Sequence, residues 1–173
     1  MTAALLKTII DLIAEANPDR NYRNLTRRVL KLIEELGEVA EAFLETTSAH
    51  NRKNKSWADV NEEAADVLIV AIDIALTIDT PDALLEFVIP NLHCYTGSFD
   101  AAIREICYAT ARFDRNFQND RPLAVAHIGV AVCYAFSMNE LLHRYDSHDN
   151  LLSEVTRKLD KWRSGTSTAE AAE

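Results

Sequence analysis

The chain is predicted to fold as an all-α bundle, mainly antiparallel. Three observations carry that reading. Its 173 residues include only four Gly and four Pro, so turns are few and helices long. Apolar residues recur at intervals of three and four along most of the sequence. No alternating strand pattern with hairpin turn chemistry is present. Hydrophobic residues make up 48%, enough to fill the core of one domain, set at residues 1–163.

Seven helices are expected, at 2–16, 24–47, 57–79, 81–89, 98–116, 121–145 and 149–163. The first carries Lys7, Asp11 and Glu15 at helical intervals, which makes it amphipathic rather than a signal peptide. In the second, Leu25, Val29, Leu32, Ile33, Leu36, Val39, Ala40 and Phe43 follow 3.6-residue spacing, with Asn24 as N-cap. The third opens on Ser56 with Asp59 three residues on, a capping-box pattern. Thr80 and Pro81 start the fourth, and Pro90 and Gly97 break the chain after it. Asn119 or Asp120 caps the helix entered through Pro122. The tail, 164–173, has no apolar residue but Ala and is expected to be disordered.

A weak internal echo runs through the chain. Residues 103–117 lie over 29–43, and 124–136 over 60–72. The echo makes 98–145 a second helical pair, degenerate at the positions where the first is acidic: Ala109, Arg112, His127 and Val130 stand there.

The net charge of −9 disfavours general binding to nucleic acid or to an anionic membrane. No run of 18 apolar residues is free of charge, so no membrane span is expected. Cys94, Cys107 and Cys133 are odd in number and form no C-x-x-C, and read as reduced core residues of a cytoplasmic protein.

Two acidic clusters dominate the chemistry: Glu34-Glu35-Leu36-Gly37-Glu38 and Glu62-Glu63-Ala64-Ala65-Asp66. Glu35 with Glu38, and Glu63 with Asp66, stand three residues apart, one turn on one helical face. Glutamates on a helix are usually a solvated face. The third helix argues otherwise, because Asp66 and Asp73 sit in a segment that is apolar almost all round. A buried carboxylate needs a cation, a donor or a proton. The short connection 46–56 makes the two helices antiparallel neighbours, which would aim four carboxylates at one point. All-oxygen ligands suit a hard ion such as Mg²⁺, often bound together with substrate phosphates. Asp73 is either an outer member of that site or a partner of a neighbouring Lys or Arg.

These motifs resemble the all-α nucleoside triphosphate pyrophosphohydrolases, whose pattern is E-E-x-x-E, an interval, then E-x-x-D. That superfamily includes the MazG proteins, the phosphoribosyl-ATP pyrophosphohydrolases and the dimeric dUTPases. The fuller context, RRVLKLIEELGEVAEAFLE and WADVNEEAADVLIVAIDIAL, is similar to the MazG-like proteins often carried by bacteriophages. The resemblance covers residues 20–80; residues 81–163 match only in being helical, with a basic last helix.

The resemblance implies a MazG-type bundle that converts a nucleoside triphosphate, by preference deoxy, to the monophosphate and pyrophosphate in nucleotide-pool control. It implies Glu35, Glu38, Glu63 and Asp66 as ligands of Mg²⁺, or of Mn²⁺ in its place. Glu38 is the choice to orient or deprotonate the attacking water. Lys31, Lys53, Lys55, Lys158, Lys161 and Arg163 are candidates to meet phosphate charge. Trp57 could stack on a base and Asn61 hydrogen-bond its edge, with Asn21, Tyr22 and Arg23 weaker candidates. A homodimer or homotetramer is expected, both from the resemblance and because the apolar third helix needs covering. The location would be cytoplasmic, in the host if the protein is phage-encoded.

Two other readings stand beside this one. One is a non-catalytic helical interaction protein whose metal site is vestigial. The other is a di-iron carboxylate bundle, for which Glu140-Leu141-Leu142-His143 supplies one E-x-x-H where two are required.

Overall fold

A computed structural model describes residues 3–17, 24–92, 97–142 and 151–170. Helices are α1 (Ala3–Ala16), α2 (Leu25–Thr47), α3 (Trp57–Ile78), α4 (Pro81–Asn91), α5 (Phe99–Asn116), α6 (Arg121–Leu142) and α7 (Leu151–Glu170). No strand occurs among the described residues, so the chain is all-α.

The core is two helical pairs placed face to face. Short connections fold α3 back along α2 and α6 back along α5. The apolar helices α3 and α6 then pack on each other in the middle. Helix α3 is buried from Val67 to Ile78, so its apolar circumference is covered by its own chain. That removes one reason given for expecting an oligomer: α1, α2, α6 and α7 all pack against α3. Asn139 of α6 is buried and donates to the carbonyls of Ala64 (3.0 Å) and Ala135 (2.8 Å), locking the register of the central pair.

Helix starts follow their caps. Ser56 and Asp59 form both bonds of the capping box. The Thr80 hydroxyl accepts from the Ala83 amide (3.3 Å), with Pro81 at the first turn. Asp120, rather than Asn119, accepts from the Leu123 amide (3.1 Å). Asn24 occupies the N-cap of α2 but makes no side-chain cap bond.

Several expectations need correction. The 3.6-residue spacing sets Ile33 on the apolar face of α2, yet it is exposed. The core stripe is Leu25, Val29, Leu32, Glu35, Leu36, Val39 and Ala42, which turns Ile33 outward. Pro90 does not end α4, which continues to Asn91; a proline this near the end forfeits one backbone bond, and the Asn91 side chain donates its Nδ2 to the Phe87 carbonyl (2.6 Å). Helix α7 runs on to Glu170, because 164–170 holds no Pro and Gly165 only weakens a helix. Cys107 is exposed on the outer face of α5 beside the buried Ile106, while Cys133 is core; Cys94 lies outside the described residues. Asn21, Tyr22, Arg23, His143 and the boundaries placed at 145 and 149 also lie outside them. Helix α6 is long and apolar enough to cross a membrane by length and composition, contrary to the sequence expectation. Most of that segment is buried against α3, α4 and α5. Gly129 of α6 is needed there: a Cβ would stand 2.4 Å from the Phe87 ring of α4.

Candidate metal centre

The facing sides of α2 and α3 bring three of the four predicted carboxylates together. Glu35, Glu63 and Asp66 each offer an oxygen within 4.8 Å of the other two. Among the described residues no other trio of potential ligands does so. The cause is local. Glu35 falls on the core-facing stripe of α2, and Glu63 and Asp66, one turn apart, lie on the side of α3 that faces it. Glu38, one turn after Glu35, is exposed at the rim. It is close enough for its charge to raise the pKa of both Glu35 and Glu63.

Burial makes the cluster electrostatically uncomfortable. Glu35 is 4% exposed. Desolvation raises its pKa, the Lys31 hydrogen bond opposes that, and Asp66 and Glu38 add to it. Glu63 and Asp66 are also shifted upward, each chiefly by burial. The Glu35 Oε1 is held by Lys31 Nζ at 2.7 Å. The Glu35 Oε2 is buried with no hydrogen-bond partner. A buried acceptor left this way costs free energy that a bound cation would recover.

Cations ring the cluster unevenly. Lys158 of α7 is 6% exposed, hydrogen-bonded to Asp66 and 2.9 Å from Glu62. Burial lowers the pKa of its ammonium, but the two carboxylates outweigh burial and the net shift is upward; the same Lys158 contact lowers that of Glu62. Lys31 reaches Glu34 (3.2 Å) as well as Glu35; burial opposes its charge, yet these bonds push its pKa up to about 12. Lys55 stands at the edge, 3.8 Å from Glu63 and 3.7 Å from Asp59. It is steered there by a reciprocal pair in which Asn51 accepts from the Lys55 amide (2.8 Å) and donates to its carbonyl (2.5 Å).

The other predicted residues are not drawn into the cluster. Lys53 pairs with Glu41 on the outside of α2. Lys161 and Arg163 are exposed on α7, with Arg163 3.6 Å from Asp160. Trp57 is half-buried, edge-on to Phe43 (6.2 Å between centroids), which stacks in turn on Phe99 (4.6 Å). This is packing, one turn before the half-buried Asn61. Asp73 belongs to a different network: Arg28 lies 2.8 Å from one oxygen and Asn17 donates to the other (3.0 Å). Arg28 also donates to Thr77 (2.6 Å).

Sequence reasoning missed Glu62 and Arg157. Arg157 joins Glu62 (3.0 Å) to Glu154, so α7 is pinned to α3 by two adjacent cations. The adjacency of Arg157 to Lys158 was visible, but their partner lies on a helix far away in sequence. Comparison with family models, with curated proteins and with solved structures finds no match.

Proposed function

We propose that this chain is a Mg²⁺-dependent nucleoside triphosphate pyrophosphohydrolase of the MazG-like kind. It would cleave a nucleotide between its α and β phosphates to give monophosphate and pyrophosphate. The observation that supports this most is the orphaned, buried Oε2 of Glu35 beside Glu63 and Asp66. Three hard oxygens from two rigid helices fit an octahedral ion that keeps some of its waters.

Glu35, Glu63 and Asp66 would hold the ion. When bound, Mg²⁺ would neutralise triphosphate charge and lower the pKa of a coordinated water. Glu38, exposed at the rim, would orient the attacking water or accept its proton. Lys158 and Lys55 flank the carboxylates and would take up charge developing on the leaving pyrophosphate. Lys31 would hold one oxygen of Glu35 and oppose the burial that raises its pKa. The deoxy preference rests on the resemblance to phage-type proteins alone.

The test is a panel of eight NTPs and dNTPs with Mg²⁺, products resolved by chromatography. Monophosphate plus pyrophosphate supports the proposal. Diphosphate plus orthophosphate, or no turnover of any nucleotide, refutes it. The non-catalytic reading draws on one observation, that Lys158 already supplies Asp66 with a cation. Calorimetric titration with Mg²⁺ showing no saturable binding would favour it.

A further inference from the structure

We propose that Lys158 is a built-in counter-ion of the acidic cluster, and that a divalent ion held by Glu35, Glu63 and Asp66 displaces it from Asp66 onto Glu62, loosening the seat of α7. The inference rests on the reading of the cluster as a metal site and concerns how that site is governed. Lys158 is the only buried lysine among the described residues. Its ammonium hydrogen-bonds Asp66 and lies 2.9 Å from Glu62. Those two carboxylates stand four residues apart, one turn of α3, so the ammonium has two acceptors on one helical face. Only Asp66 belongs to the trio that can share an ion. Glu62 is left over, and it is the more exposed of the two, 45% against 14%. A short swing toward Glu62 frees Asp66 and keeps the ammonium paired.

Charge drives the move. When ionised, the trio carries three negative charges, and Lys31 and Lys158 each hold one of its members. A divalent ion added with both lysines in place leaves one positive charge too many. With Lys158 passed to Glu62, the trio, Lys31 and the ion are neutral together. Lys31 is not the lysine that yields. Its side chain is 45% exposed, so water screens it, and it holds Oε1 of Glu35 while leaving the buried Oε2 for the ion. Lys158 is shut away from water, where like charges repel more strongly.

The fold ties this ammonium to a whole helix. Val155, one turn before Lys158, and Leu159, next to it, are buried. Arg157 adds its own pair with Glu62. Helix α7 is thus docked on apolar side chains and on two cations, and the ion takes one cation's hold on Asp66 away. The helix stays docked but opens more readily. By linkage, what the ion costs the seat of α7, a seated α7 costs the ion. On the parent reading, the ammonium becomes available to the leaving pyrophosphate only once the metal has arrived.

Calorimetric titration of the full, metal-free chain with Mg²⁺ tests this. Lys158→Met should tighten binding at least about tenfold, whereas Lys158→Arg, which keeps the charge, should bind no tighter than wild type. Hydrogen exchange on the wild-type chain needs no variant. Mg²⁺ should speed exchange of the amides of 151–163 at least about threefold relative to those of α5. Equal or weaker Mg²⁺ binding by Lys158→Met overturns the proposal, and so do α7 amides that keep their rate or slow. Absence of saturable Mg²⁺ binding in both wild type and Lys158→Met overturns it together with the metal reading. The nucleotide panel separates the two: equal affinities with pyrophosphate still released sink this inference alone.

Discussion

Laying 103–117 over 29–43 and 124–136 over 60–72 brings the buried positions of α5 and α6 onto those of α2 and α3. Leu32 meets Ile106, Leu36 meets Thr110 and Val39 meets Phe113, all buried. On the inner helices Val60 meets Ala124, Ala64 meets Ile128, Leu68 meets Val132 and Ile72 meets Phe136, again all buried. The chemistry is opposite. Glu35 corresponds to Ala109, both buried; Glu38 to Arg112, both exposed; Glu63 to His127 and Asp66 to Val130, all four half-buried. Arg112 stacks over Tyr108 at 4.2 Å, and burial followed by the Arg112 charge lowers the pKa of His127. The same packing thus accommodates acids in one pair and alanine, valine, arginine and histidine in the other. Packing alone does not call for a carboxylate at position 35, where burial penalises one.

The largest expected effect separates the two pairs by activity. Glu38→Gln and Asp66→Asn should each lower Mg²⁺-dependent pyrophosphate release by at least about a hundredfold. Arg112→Gln and His127→Gln, at the matching positions, should leave it within about twofold. Steady-state assays on purified variants decide this. Loss of activity in both sets would break the comparison.

Next comes the buried ion pair. Extending the register by one residue each way sets Arg28 over Ala102 and Asp73 over Ser137. Arg28→Ala removes the guanidinium from a buried carboxylate and should cost about 3 kcal/mol in urea denaturation. Adding Asp73→Ser copies the second pair and should recover about half of that. A double variant no more stable than the single one would mean that the network does more than neutralise charge.

Trp57→Ala comes third. Its contact with Phe43 predicts a loss of about 2 kcal/mol in stability, with KM for the best nucleotide unchanged. A tenfold rise in KM with the melting temperature intact would make Trp57 a base-stacking residue instead.

The smallest effect has opposite signs in the two pairs. Glu35→Gln removes a carboxylate whose pKa burial has raised, so the metal-free protein should gain about 1 kcal/mol, a few degrees in Tm. Ala109→Glu should destabilise by at least as much. Asp66→Asn is expected to destabilise despite losing a charge, because it removes a partner from the buried Lys158. Thermal melts in EDTA measure all three.

Much of this was legible from the chain. The 3.6-residue period, the scarcity of Gly and Pro, and Ser56, Thr80 and Asp120 at helix starts suffice for the seven helices of the described residues, because caps and periodicity are local. The i, i+3 spacing of the acids and the i, i+4 step from Lys31 to Glu35 were local too. What periodicity could not say is which side of α2 faces inward: Ile33 and Glu35 are two residues apart, and only the placement of α3 sends the leucine-like side chain to solvent and the acid to the core. The same holds for Asp73. Its need for a partner followed from the apolar run around it, but Arg28 and Asn17 became that partner only when α1 and α2 met α3.

By itself the sequence determined the helices, their caps and the presence of two acidic motifs, since each depends on neighbours within a few residues. Only the tertiary structure decided that Glu35, Glu63 and Asp66 converge while Glu38 stays at the rim. It alone chose Lys158, and not Lys53 or Lys161, as the cation on Asp66. The physical reason is that burial and long-range ion pairing depend on how helices separated by many residues are rotated against one another. A few tens of degrees of that rotation move a side chain from core to water.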